Sequence, residues 1–372
     1  MYHWPLPMNH HRPGWFEVLR PQQNRVPRDA STFDALRLIA ALGVLFGHYF
    51  LINGRTQPTV GGYGDFAPFC VFVFFAISGF FIAGSWERDP SLARYWARRA
   101  LRIYPALVVT VLATVFVLGP LASSATLSEY FADGRTWSYL RNALLVFGIQ
   151  YDLPGVFVDN VTSDVNLSLW SLPIELAMYI TLSIVGFFAA RRTRTLFPVL
   201  AAASGALWLL SPSPDGYAIT LMYGLGATFF VGASIHAFGV LPLLTGGVVA
   251  LAAIVLAIGA FLAPELGRPI LWMALPGVVI GIGNRPTRFG ALIARSGDVS
   301  YGVYLWAVPI QQLLVGMMGF AASMVLAMVL TVAAGWVSMR LVEVPALRLR
   351  PRAPASPAPN ADPVEEAVRR SH

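Results

Sequence analysis

The chain contains no lysine; all 26 of its basic residues are arginine. That absence excludes Schiff-base chemistry and a phosphate-binding loop built on lysine. There is one cysteine, Cys70, so no internal disulfide and no cysteine-rich metal site is available. Charged residues make up only 12% of the sequence, too few for the surface of a soluble globule. The short alternating segments of a transmembrane β-barrel are missing as well. The net charge of +7 does not read as a nucleic-acid surface, because the arginines fall between apolar runs.

What is present is apolar: 56% of the residues are hydrophobic, in recurring runs near the length of a membrane crossing. The expected class is all-α, a polytopic transmembrane helical bundle. About ten spans are predicted, at 33–53, 66–85, 103–121, 168–190, 195–211, 217–237, 240–262, 269–284, 299–318 and 320–342. The run Tyr139–Ile149 is apolar but short, so 122–167 is assigned to an outer loop with a re-entrant or surface piece. With both termini cytoplasmic, only Arg55, Arg135, Arg141 and Arg268 of the 26 arginines lie outside. Residues 1–32, rich in Pro and Arg, form a flexible cytoplasmic lead with no signal-peptide pattern. Residues 33–345 form the transmembrane domain, and 346–372 a disordered, Pro/Ala-rich cytoplasmic tail.

The first span, FDALRLIAALGVLFGHYF, carries Asp34, Arg37 and His48. Eleven helical steps of about 100° return to within about 20° of the same face, so Arg37 and His48 share a side about 16 Å apart. Ionisable groups in hydrocarbon are costly and mark function. Only His48 and Glu175 lie deep, both in the outer half, and equal depth invites pairing. A histidine with a carboxylate partner is a general-base arrangement. The bland alternatives are a packed, hydrogen-bonded histidine and an interhelical pair that fixes packing alone. Asp34 is expected to support Arg37.

The second cluster is SLARYWARRALRIYP. Arg94, Arg98 and Arg102 repeat every four residues and Arg99 precedes Arg102 by three, on one helical face. An anchor on anionic lipid explains most of these arginines. A phosphate clamp for a cytoplasmic donor is the functional reading, with Arg99 and Arg102 its members. In SLWSLPIELAMY, Trp170 and Ser171 sit at the outer interface, and Pro173 opens the helix beside Glu175. The small-residue run AISGFFIAG reads as close helix packing.

In order, FDALRLIAALGVLFGH, VFFAISGFFI, ARRALRIYP, SLWSLPIE, VSYGVYLWAVPI and VEVP resemble the acyltransferase-3 family of integral-membrane O-acyltransferases. The resemblance covers nearly all of 33–345. It implies a catalytic role for His48, an acyl-CoA donor near Arg37, Arg99 and Arg102, and a functional acid at Glu175. It also implies acetyl or short acyl transfer to the hydroxyl of an envelope polysaccharide, a lipid-linked glycan or a glycosylated small molecule. Trp170 and Ser171 are then expected to touch that carbohydrate acceptor, no metal is required, and the bacterial inner membrane is the expected location. Ala307 stands where many relatives have a histidine after YLW. The rival expectation is a proton-coupled transporter or flippase using His48 and Glu175 as a relay, but no internal repeat supports it. A subunit that only binds partner helices is the third.

Overall fold

The computed structural model describes residues 31–146, 148–189, 192–211 and 217–351. It is helical throughout; among these residues β-structure is confined to three isolated bridges. The principal helices are α1 (Phe33–Ile52), α2 (Phe66–Arg88), α3 (Leu92–Ala113), α4 (Leu172–Phe188), α5 (Thr193–Leu210), α6 (Tyr217–Ala237), α7 (Gly246–Phe261), α8 (Gly267–Gly283), α9 (Arg288–Ser296), α10 (Ser300–Leu314), α11 (Phe320–Ser338) and α12 (Val344–Arg348).

Each predicted span falls on one of these helices. Eight candidate spans are long and apolar enough to cross a membrane: Phe33–Ile52, Phe66–Arg88, Leu92–Ala122, Leu167–Phe188, Thr193–Leu210, Ile219–Ala237, Pro264–Gly283 and Phe320–Arg348. The other two predicted spans are α7 and α10, of 16 and 15 residues. They are about 24 and 22 Å long, short of the ~30 Å hydrocarbon core. The exposed side chains Ile184, Phe188, Leu210, Phe261 and Val329 are apolar, as a lipid-facing surface requires.

The third span departs most from its expected bounds. The arginine cluster and the span form one helix. Helix α3 starts at Leu92 after Ser91 and runs on through a π-helical turn, Thr114–Leu118, to Ala122. At about 1.5 Å per residue, this 31-residue stretch reaches about 46 Å, so its arginine end projects beyond a bilayer core. A second π turn, Met339–Glu343, follows α11. Both π turns precede a proline, Pro120 or Pro345. Proline cannot donate to the carbonyl four residues back, and the ladder shifts register to relieve it.

Helix α2 is central, packed on α1, α6 and α8. A Cβ on Gly79 would collide with the Phe229 carbonyl of α6, and one on Gly232 with the Ala76 carbonyl of α2. The run AISGFF therefore serves close backbone approach, as expected from its small residues. At the start of α1, Thr32 N–H donates to the Gly283 carbonyl at 2.9 Å and its hydroxyl to the Arg285 carbonyl at 2.6 Å. The described residues thus begin at Ser31, within the expected lead, and run to Pro351, within the expected tail. The rest of both expected terminal segments lies outside the described residues. Between Ala122 and Leu167, no described helix exceeds six residues; Tyr139–Leu144 is a 3-10 turn rather than a span.

Candidate functional site

A cavity of about 750 Å³ opens among α1, α2, α3, α4, α10 and the α11–α12 junction. It starts at an arginine-bearing mouth and ends among aromatic rings.

At the mouth, Asp89 accepts from Arg94 Nη2 at 2.6 Å and from Arg98 Nη1 at 2.5 Å. Those hydrogen bonds hold the Asp89 carboxyl well below the usual carboxylate range. The i, i+4 spacing of Arg94 and Arg98 brings both forks to one acid just before the helix start. Arg99, on the next face, has no carboxylate partner among the described residues. Its guanidinium lies 6.0 Å from the Tyr95 ring and 5.8 Å from the Tyr179 ring, and its buried Nε has no hydrogen-bond partner.

One layer deeper, Arg102 donates to Asp298 Oδ2 at 2.7 Å and to Glu343 Oε2 at 3.1 Å. Arg37 donates to Asp34 Oδ1 at 3.1 Å and lies 3.6 Å from Asp298 Oδ2. The Asp34 carboxylate thus lies one helical turn from Arg37 and accepts from it. Asp298 is the hub. Its other oxygen accepts from Ser300 N–H at 3.2 Å and Ser300 Oγ at 2.5 Å, fastening the start of α10. Burial raises the Asp298 pKa, but Arg102 and Arg37 outweigh it and hold the carboxyl below the usual range. The π turn before Pro345 carries Glu343, which completes this lattice.

Further in, Glu175 accepts from Ser78 Oγ at 3.2 Å and from the Tyr179 hydroxyl. The cavity then meets Phe74 and Tyr304, whose rings are edge-to-face at 5.9 Å. Ser171 Oγ and the Tyr304 hydroxyl are 2.7 Å apart, so Ser171 lines the wall, whereas Trp170 is half-buried and outside it.

His48 is buried and its Nδ1 has no hydrogen-bond partner. It does not point to lipid. Neither is it among the described cavity walls. Gly43 of α1 packs on Cys70 of α2, and Gly47 on Ala67, which fixes the register of the two helices. The cavity reaches Val71 on α2, about one turn short of the level of His48.

The expected pairing of His48 with Glu175 is not formed. Glu175 bonds to Ser78, eleven residues along α2 from Ala67, so the two groups differ in depth by about 16 Å. The sequence places ionisable groups along a span, but Pro173 and the preceding 3-10 turn Leu167–Ser171 shift the start of α4. Instead, Gln311 of α10 reaches the His48 turn: its Nε2 donates to the Leu45 carbonyl at 2.7 Å, while its Oε1 has no partner. The dipeptide Gln311-Gln312 inside an apolar run was its signal. Asp298, Tyr179 and Ser78 carry no comparable signal. No group of three His, Cys, Asp or Glu side chains among the described residues is placed to hold a metal.

A helical membrane bundle enclosing a cavity with a guanidinium mouth and an imidazole just beyond its far end defines the class. The chain belongs to the acyltransferase-3 family, whose acyltransferase domain matches residues 31–340. It is 28% identical over 325 residues to an O-acetyl transferase of Shigella phage Sf6, covering 84% of this chain and 95% of that protein. It is 28% identical over 352 residues to nodulation protein 10 of Rhizobium leguminosarum bv. viciae, covering 86% and 94%. A shorter match, 29% over 165 residues, joins it to the acyltransferase MdmB of Streptomyces mycarofaciens, covering 43% of this chain and 39% of that one. No solved structure matches. The chain is accordingly a multi-pass membrane O-acyltransferase.

Proposed function

We propose that this enzyme moves an acetyl or other short acyl group from acyl-CoA to a hydroxyl of a carbohydrate, in the bacterial inner membrane with its arginine mouth facing the cytoplasm. The observation that carries the reading is the continuous cavity from the mouth arginines toward the His48 turn. Guanidinium forks match phosphate oxygens, so Arg99, with Arg98 beside it, receives the nucleotide phosphates. Arg37 and Arg102 line the donor's path and act through their carboxylate lattice. The pantetheine arm then runs past Glu175, whose carboxylate accepts an amide N–H from it. The thioester passes the Phe74–Tyr304 layer to His48, while the acceptor approaches from the opposite end past Trp170 and Ser171.

His48 takes the proton from the attacking hydroxyl as its oxygen bonds to the thioester carbonyl carbon. Collapse of the tetrahedral adduct breaks the carbon–sulfur bond, and the departing thiolate takes up the proton. An ester and free CoA result. Among the described residues no carboxylate is bonded to the imidazole; the Gln311 amide donates to the Leu45 carbonyl one turn away. The family assignment favours this chemistry over a transporter.

Purified protein in proteoliposomes, given radiolabelled acetyl-CoA and a pool of cell-envelope glycans, tests the reading. Label is expected in a glycan ester with the wild type and not with His48→Ala. Equal labelling by the two proteins would count against it.

A further inference from the structure

Five of the six arginines that line the cavity, all but Arg350, divide by their partners. Arg37 and Arg102 face three carboxylates, Asp34, Asp298 and Glu343, and contribute no surplus of positive charge. At the mouth the balance is opposite. Asp89 is shared between Arg94 and Arg98. Arg99 faces rings only. Arg88, the last residue of α2, lines the same cavity and makes no ion pair among the described residues. Three guanidinium groups, those of Arg88, Arg98 and Arg99, therefore converge on one opening. The buried Nε atoms of Arg98 and Arg99 are unpartnered.

Like charges confined in a partly dry cavity repel, and the repulsion is relieved when a polyanion enters. Guanidinium forks select phosphate oxygens over a diffuse anion. We infer that Arg88 is a phosphate-binding residue of the donor site, closing with Arg98 and Arg99 a three-arginine seat for the phosphorylated nucleotide end of an acyl thioester. Arg88 lies six residues before the SLARYWARR cluster's Arg94 and on a different helix, so no spacing pattern on α3 includes it. Asp89 holds Arg98 toward this seat without neutralising it, because Arg94 competes for the same carboxylate. The inference rests on the donor reading above and adds to it a residue and a location for the phosphates.

Calorimetric titration of coenzyme A into the full chain in uncharged-lipid nanodiscs tests it. Arg88→Gln is expected to raise Kd roughly tenfold, the value of one charge-assisted hydrogen bond. Arg88→Lys, which keeps charge but not the fork, is expected to fall between. Arg141→Gln, an exposed arginine of the 122–167 segment, is expected to change nothing. Arg88 is exposed at the helix end, and the ligand-free melting temperature of each variant reports folding separately. If wild type binds coenzyme A and Arg88→Gln binds it equally well, this inference is overturned and the donor reading stands. If wild type binds none, both are overturned. If instead Arg88 matters only once phosphatidylglycerol is added to the discs, the seat belongs to lipid phosphate and the inference again fails.

Discussion

The arginine-bearing mouth and the His48 end of the proposed donor path are built by opposite means. On the arginine-bearing side charge is abundant: Arg94 and Arg98 share Asp89 at the mouth, Arg37 and Arg102 share Asp298 one layer deeper, and Arg88 and Arg99 have no carboxylate partner among the described residues. Beyond the far end, the His48 imidazole is buried with an unpartnered Nδ1, and Gln311, whose Nε2 donates to the Leu45 carbonyl of the same helix, keeps an unpartnered Oε1. The mouth spends several acids to hold guanidinium groups in place. The far end leaves its polar atoms unmet, which costs stability and keeps them available to a reacting group. On the proposed function, donor binding at the cavity mouth and chemistry at His48, about one helical turn past the described cavity walls, are separated.

The largest effect that can break this comparison is at the far end. His48→Ala is expected to lower turnover by about 10²–10⁴-fold, the range for a general base, with donor binding at the mouth unchanged. Single-turnover acyl transfer read beside coenzyme A affinity separates the two. Equal losses in both would erase the division between the ends.

Asp298 comes next, because it serves the mouth from inside. Asp298→Ala leaves Arg102 and Arg37 short of a buried partner and is expected to cost about 3–5 kcal/mol of stability. Thermal unfolding in detergent reads this, and the double variant Asp298→Ala, Arg102→Gln is expected to recover part of the loss. A double variant less stable than the single one would contradict the lattice.

Glu175 sharpens the comparison from the middle. If it guides the donor's arm and does not orient His48, Glu175→Gln is expected to raise the KM for acetyl-CoA about three- to tenfold, the value of one hydrogen bond, with kcat nearly kept. A fall in kcat with KM unchanged would restore it to the chemistry.

The smallest effect concerns Asp89. Its folded pKa is depressed by hydrogen bonds from Arg94 and Arg98, so it is ionised in the fold where the unfolded chain would begin to take up a proton. Its stabilisation is present above the unfolded value of about 3.9 and is lost as pH falls through the lower folded value. Wild type is expected to lose thermal stability more steeply than Asp89→Asn as the pH drops below about 5. Parallel curves would show that the pair does not stabilise the fold.

Much of this was legible in the sequence because it is local. Apolar run length placed the helices, and the spacing of Arg98, Arg99 and Arg102 put three guanidinium groups close together on one helix, which in the structure line the cavity, whereas Arg94 of the same repeat does not. The partners of Arg102 were not legible, since Asp298 and Glu343 lie 196 and 241 residues away. Only tertiary packing brings them near. The pairing of His48 with Glu175 failed for a related reason. Depth along two separate spans was compared without the register between them, which α2 sets through Gly47 on Ala67 and Ser78 on Glu175. The third helix starts eleven residues before the expected span edge at 103, because a helix of about 46 Å extends past the bilayer and carries its arginines outside the apolar run.

The most direct measurement is a structure of the enzyme with coenzyme A bound. The account predicts phosphates on the mouth arginines Arg88, Arg98 and Arg99, the arm beside Glu175, and the sulfur past Phe74 and Tyr304 within about 4 Å of the His48 ring. A ligand whose phosphates lie elsewhere, or whose sulfur stops at Glu175 with the aromatic layer closed, would contradict it.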